Sequence, residues 1–155
     1  MSLERLFAGR NVDVAAMKMR MERLMAAEGL EFGDRTMTFN SRLAQELAQW
    51  AACEKGVDAI HTELFRAYFV KGLNLASIGV LVSVARGLGL DPEQARSVIE
   101  TRSWSEAVDR DWERSRNQRV GGVPTFRLGT EILAGAQPYE RLEEMLVSQI
   151  RLGSS

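Results

Sequence analysis

A single hairpin signal constrains this chain more than any other feature. Pro124 to Leu128 alternates, placing Phe126 and Leu128 on one face and Thr125 and Arg127 on the other. Gly129-Thr130 fits a two-residue turn of the Gly-X type, Glu131 to Ala134 supplies a second short strand, and Gly135 ends it. A lone two-stranded hairpin is marginal in water and needs more strands or a good packing surface. Only one amphipathic helix follows, opened by Gln137-Pro138, with Leu142, Met145, Leu146 and Ile150 expected inward. The sheet should therefore have further members, on another chain or left out of this one.

Most of the chain before Gly121-Gly122 reads as helix. From Val12 the apolar residues Met17, Met21, Leu24 and Met25 fall on one helical face, with Asn11 or Asp13 as cap and Gly29 after the end. Leu30 to Phe39 is a connector. The next helix starts at Asn40 or Ser41, carries Leu43, Leu47, Trp50 and Ala51, and is closed by Gly56. A third runs from about Asp58, with Ile60, Leu64, Phe65, Tyr68 and Phe69 expected inward. A fourth runs from Ser77 through Val80, Leu81, Val84, Ala85 and Leu88. Asp91-Pro92 opens a fifth, where Asp caps and Pro at the first helical position loses no needed N–H. Ser103-Trp104-Ser105-Glu106 reads as a capping box for a sixth, charged surface helix reaching about Arg119. The order is six helices, one hairpin and one helix, an α+β chain that is mostly helical. Residues 1–120 and 121–155 form the expected division, and Arg151 to Ser155 is expected to fray.

Composition narrows the function classes. Of the 155 residues 45% are hydrophobic, enough for a real core. The formal net charge of −1 offers no electrostatic footprint for nucleic acid. No apolar run approaches a membrane span; the longest, Ile78 to Ala85, is broken by Gly79 and Ser83. Met1 to Arg20 holds Glu4, Arg5, Arg10, Asp13 and Lys18 and has no apolar stretch of signal-peptide type. With a single cysteine, these points favour a cytoplasmic protein.

Gly122-Val123-Pro124-Thr125-Phe126 and Leu133-Ala134-Gly135-Ala136-Gln137-Pro138 together carry a family resemblance. Glu28-Gly29-Leu30-Glu31-Phe32, Asn40-Ser41, Leu64 to Phe69 and Asp91 to Ala95 extend it from about Leu3 to Ile150. The chain resembles the DsbA family of thioredoxin-fold proteins, in particular its FrnE-like subgroup. The resemblance implies a partial thioredoxin fold: the helical insertion lobe plus the C-terminal hairpin and final helix. It also implies that the family's opening β-α-β unit, whose helix carries Cys-x-x-Cys, has no counterpart here. A late start or a fragment is the expectation that follows.

The same resemblance assigns candidate residues. Val123-Pro124 sits where the family has a cis peptide bond, with Thr125 beginning the strand. There the backbone before the proline is free to pair with an extended peptide or with glutathione. Ala136 and Gln137 could bind a carboxylate such as that of glutathione, or form a plain helix cap. Asn40 is a cap or faces the site. No resident cofactor is expected, with glutathione as the possible small molecule. Cys53 reads as a small, partly buried side chain, because the end of a helix raises a thiol pKa. His61 reads as a helix-surface residue. Met17, Met19, Met21 and Met25 pack a core or line a partner groove. Asp109 to Arg116 form a solvated charged face.

Three functions follow as expectations. The first is a thiol–disulfide oxidoreductase of FrnE type acting on protein thiols or disulfides. The second is a glutathione-dependent enzyme similar to 2-hydroxychromene-2-carboxylate isomerases and kappa-class transferases, which the Gly135-Ala136-Gln137-Pro138 ending argues against. The third is a non-catalytic helical binding module. A homodimer is expected, joined at the open hairpin edge or along the helical lobe.

Overall fold

The computed structural model describes residues 1–55 and 59–153. Gly56 and Asp58, expected to close one helix and open the next, lie outside the described residues, as do Ser154 and Ser155. The chain divides into two compact units, Met1–Asp109 and Arg110–Ser155.

The first unit opens with a short helix that sequence periodicity did not reveal, α1 (Leu3–Leu6), started by the Ser2 hydroxyl accepting from Arg5 N–H. Leu3 is buried, and its N–H donates to Thr36 O at 2.9 Å while Thr38 N–H donates to Met1 O at 2.9 Å. The amino terminus is thereby pinned to the connector. Next comes α2 (Val14–Ala27), capped by Asp13, whose carboxylate accepts from Ala16 N–H at 3.0 Å. Gly29 then turns the chain with a left-handed φ of 67°. None of α2's residues is buried.

The core begins with α3 (Arg42–Lys55), where Ala44, Leu47, Ala48, Trp50 and Ala51 form one buried face at helical spacing. Against it pack Ile60 and Leu64 of α4 (Ala59–Phe65), Leu81, Val82 and Ala85 of α5 (Ile78–Gly87), and Ala95 and Ile99 of α6 (Pro92–Thr101). Asp91 caps α6 as expected, accepting from Glu93 and Gln94 N–H at 2.8 and 3.1 Å. One expected core residue is turned out: Phe65 is 61% exposed. It lies about 100° round the helix from Leu64, and the inward stripe Ile60, Leu64, Ala67 leaves it outside. The following five residues, Arg66–Val70, form a π-helical turn rather than more α-helix.

The last helix of this region, α7 (Ser105–Asn117), begins one residue later than a Ser103 cap would place it and stops two residues short of Arg119. Arg102 takes a left-handed φ of 56° just before it. Only Val108 of α7 is buried, in keeping with a surface helix.

In the second unit β1 (Thr125–Leu128) pairs antiparallel with β2 (Glu131–Ala134), in the register Thr125 to Ala134 and Leu128 to Glu131. Gly129 makes the turn with φ 60°. The sheet has two strands among the described residues. Then α8 (Tyr139–Gly153) starts just after Pro138 and takes in Arg151 to Gly153 of the stretch expected to fray; Ser154 and Ser155 lie outside the described residues. Within this unit Met145 is buried and Leu142 half-buried, whereas Leu146 and Ile150, expected inward, are exposed. The two residues share a ridge with Leu142 at i+4 spacing, and two short strands are too narrow to cover its whole length. No helix among the described residues is long and apolar enough to cross a membrane.

Candidate functional site

The five residues singled out from the sequence meet at one end of the hairpin. The Val123–Pro124 peptide bond is cis. Thr125 Oγ1 donates to Gly122 O at 2.6 Å, closing the turn beneath the proline. Pro124 O accepts from Gly135 N–H at 2.8 Å, one step beyond the Thr125–Ala134 pair. Gln137 Nε2 donates to Ala134 O at 2.7 Å, so this side chain ties the end of β2 to the turn that enters α8. Ala136 beside it is exposed.

Val123 stands out from this framework. It is 90% exposed, and neither its N–H nor its C=O makes a hydrogen bond with the described residues. It lies two residues before β1, whose outer edge has no strand beside it among the described residues. Chemically, this is an exposed residue whose backbone donor and acceptor are open, close in sequence to a strand edge.

The other candidates lie in the first unit. Asn40 caps: its Oδ1 accepts from Arg42 N–H at 2.8 Å. His61 is exposed on α4, as read from the sequence. Cys53 is exposed rather than partly buried, because it sits on α3 opposite the face that carries Ala51 and Leu47. None of the four methionines of α2 is buried: Met17 and Met25 are half-buried, Met19 and Met21 exposed.

Two polar clusters escaped sequence reading. Glu46 is fully buried, held by Arg102 through Nε (2.7 Å) and Nη2 (2.6 Å) and by Arg42 Nε at 3.0 Å. Arg42 also donates to Ser105 O at 2.9 Å and pairs with Asp109 at 2.8 Å. The Arg102 hydrogen bonds, followed by those of Arg42, hold the Glu46 carboxyl below the ordinary carboxylate range against its desolvation. Asp109 and Glu46 in turn raise Arg42, and Glu46 raises Arg102. The i,i+4 spacing of Arg42 and Glu46 was visible in the sequence; the partner 56 residues away was not.

In the second cluster, Arg35 lies 4.4 Å from the Tyr68 ring centre and 5.6 Å from that of Phe69. Its Nη1 donates to Tyr68 Oη at 2.7 Å and to Met37 O at 2.8 Å. The Glu46 network has its charges paired and anchors helices; nothing in it presents a free nucleophile or base. Among the described residues no group of His, Cys, Asp and Glu side chains is arranged to hold a metal ion.

A family model described as "DSBA-like thioredoxin domain" matches residues 6–147. The uncharacterized protein YwbO of Bacillus subtilis (strain 168) is 26% identical over 87 residues, 56% of this chain. The match covers 44% of that protein, so the chain spans less than half the length of this relative. Among solved structures, a 2-hydroxychromene-2-carboxylate isomerase superposes with a TM-score of 0.74 at 20% identity, covering 91% of this chain and 69% of its own. The cytosolic disulfide reductase DsbM from Pseudomonas aeruginosa, solved with GSH, gives 0.53 at 22%, covering 90% and 78%. At these identities the likeness is one of fold.

Proposed function

The chain belongs to the DSBA-like thioredoxin-domain family, and on that premise we propose that it is the ligand-holding part of a FrnE-like thiol–disulfide oxidoreductase. Residues 1–120 are then the helical insertion lobe and 121–155 the C-terminal part of the thioredoxin-like domain. Val123, Pro124 and Thr125 receive an extended protein thiol or disulfide, or glutathione, in the cytoplasm. Ala136 and Gln137 flank the bound ligand.

The observation that carries this reading is the exposed Val123, whose backbone N–H and C=O have no hydrogen bond with the described residues, two residues before the open edge of β1. A strand-like ligand adds to such an edge through main-chain hydrogen bonds. Exchange itself needs a thiolate that attacks the ligand's disulfide, releasing one sulfur as thiolate, and a second thiol that resolves the mixed disulfide. The sequence holds one cysteine, Cys53, and so no second thiol to resolve a mixed disulfide. Under this reading the reactive pair comes from a segment of the same protein outside this sequence.

Titrating the chain with reduced and oxidised glutathione and with an extended disulfide peptide, while following backbone amide resonances, tests the site. Shifts that saturate at Val123 and Thr125 and spare α5 are expected; no shift there at millimolar ligand would sink the reading. The coding sequence upstream of Met1 separates the readings of function. A strand followed by Cys-x-x-Cys in frame fits the oxidoreductase. Serine in place of the first cysteine fits a glutathione-dependent isomerase or transferase using the same loop. A stop codon close upstream fits a non-catalytic binding module.

A further inference from the structure

The loop that holds Val123 and Pro124 is entered through a stretch of one charge sign. From Arg114 to Thr130 the sequence has Arg114, Arg116, Arg119 and Arg127 and no lysine, aspartate or glutamate, although the whole chain carries a formal net charge of −1. Arg114, Arg116 and Arg119 are exposed, and none of the three side chains is ion-paired among the described residues. Other arginines of the chain are paired: Arg66 with Glu63, Arg96 with Glu100 and Arg141 with Glu144. Arg127 bends toward the hairpin turn, its Nε donating to Gly129 O at 3.1 Å. Cations in a last helical turn gain from the helix dipole, which accounts for Arg114 and Arg116 but not for Arg119, past the end of α7. The end of α7 is fixed: Val120 N–H donates to Ser115 O and Arg119 N–H to Arg116 O, both at 2.9 Å, with Arg119 at a left-handed φ of 60°. Val123 follows Arg119 by four residues, so their Cα atoms lie within ~14 Å even if the chain between them is fully extended. A long arginine side chain and a Debye length of about 8 Å at physiological salt together span that gap.

We propose that the loop selects an acidic ligand: an extended disulfide peptide with aspartate or glutamate beside its cystine, attracted by Arg114, Arg116 and Arg119. The proposal rests on the reading of Val123 as a ligand-holding residue and adds the charge of what is held. Uncompensated charge at the rim of a binding surface favours partners of the opposite sign and repels those of its own. The carboxylates on the other side of the loop offset it only in part. Glu140 stands in the first turn of α8, Glu144 is paired with Arg141, and Glu131 lies at the far end of the hairpin, where it accepts from Ser148 Oγ at 3.4 Å. A nucleic acid would call for a broad basic face, and a short run of arginines in a chain of net charge −1 does not provide one.

Backbone amide titrations of the full chain with two extended disulfide peptides test the proposal, one carrying aspartate beside the cystine and the other lysine at the same positions. The acidic peptide should shift Val123 and Thr125 with a dissociation constant about tenfold below that of the basic one, since each exposed charge pair supplies a few-fold. Arg114→Gln, Arg116→Gln and Arg119→Asn together should remove the preference, asparagine being the residue that accepts the left-handed φ. Salt raised to ~0.5 M should remove it too. Equal affinity for the two peptides overturns the proposal and leaves the ligand site at Val123 standing. So does a preference that survives the triple variant. Shifts at Val123 from neither peptide overturn the site itself, and the proposal with it. A single-stranded oligonucleotide that binds more tightly than the acidic peptide overturns the choice of ligand. Should the triple variant fail to fold by circular dichroism, the salt series on the unaltered chain decides: a preference unchanged at high salt overturns the assignment.

Discussion

Glu46 is a carboxylate removed from water, and it is tolerable there because two guanidinium groups take up its lone pairs. Arg42 comes from the same helix, and Arg102 comes from the turn between α6 and α7. The residue thus ties the start of α3 to a loop distant in sequence. Since the folded carboxyl titrates below its ordinary 4.5, its contribution to stability is complete above that pH and is lost as pH falls through the folded value. Glu46→Gln should therefore cost on the order of 3 kcal/mol at pH 7, measured by urea denaturation. The gap to the wild type should narrow at pH 3. An equal gap at both pH values would mean that packing, not charge, sets the effect. Nothing in the sequence pattern singled out Glu46 as buried, because a Glu on a helix is ordinarily a solvated residue.

The connector between α2 and α3 behaves as a structural element despite having little regular structure of its own. Gly33 N–H donates to Phe69 O at 2.9 Å, which fastens the connector across the π-helical turn. A Cβ on Gly33 would press into the Val70 carbonyl, 2.8 Å from its carbon and 3.3 Å from Phe69 O. Those atoms are backbone and cannot swing away. Gly33→Ala should destabilise the chain by about 2–3 kcal/mol, read from the denaturation midpoint; a loss below about 0.5 kcal/mol, the level of a neutral surface change, would show that the crossing relaxes freely. The helices themselves were legible from sequence, since Leu47, Trp50 and Ala51, or Ala95 and Ile99, repeat at helical spacing. Capping by Asp91 was legible too, because a carboxylate before an apolar run has one common use, whereas at α2 the sequence left Asn11 and Asp13 open and the structure decided for Asp13. The π-helical turn was not: its spacing departs from 3.6 residues for only five residues, too few for periodicity to register.

On the scale of the whole molecule, apolar burial is uneven between the two units. The buried cluster runs through α3, α4, α5 and α6, whereas among the described residues of the second unit Met145 is the buried apolar side chain. Amide hydrogen exchange should follow this division. Amides of α3 and α5 should exchange only with global unfolding, and those of β1 and β2 should exchange through local opening at least ~100-fold faster. Equal protection in both would mean that the hairpin is covered by something beyond the described residues. The sequence by itself determined the mostly helical α+β class, the place and register-setting turn of the hairpin, and the family. Each of these rests on local signals: a period, a cap, a Gly-X turn, a proline at a strand start. Only the tertiary structure decided which apolar residues are covered. It turned Phe65, Leu146 and Ile150 outward, buried Glu46 beside Arg102, and brought Pro124 and Thr125 to the end of β2 beside Gln137. Burial depends on which elements meet, and that is a property of contacts far apart in the chain, which no local pattern encodes.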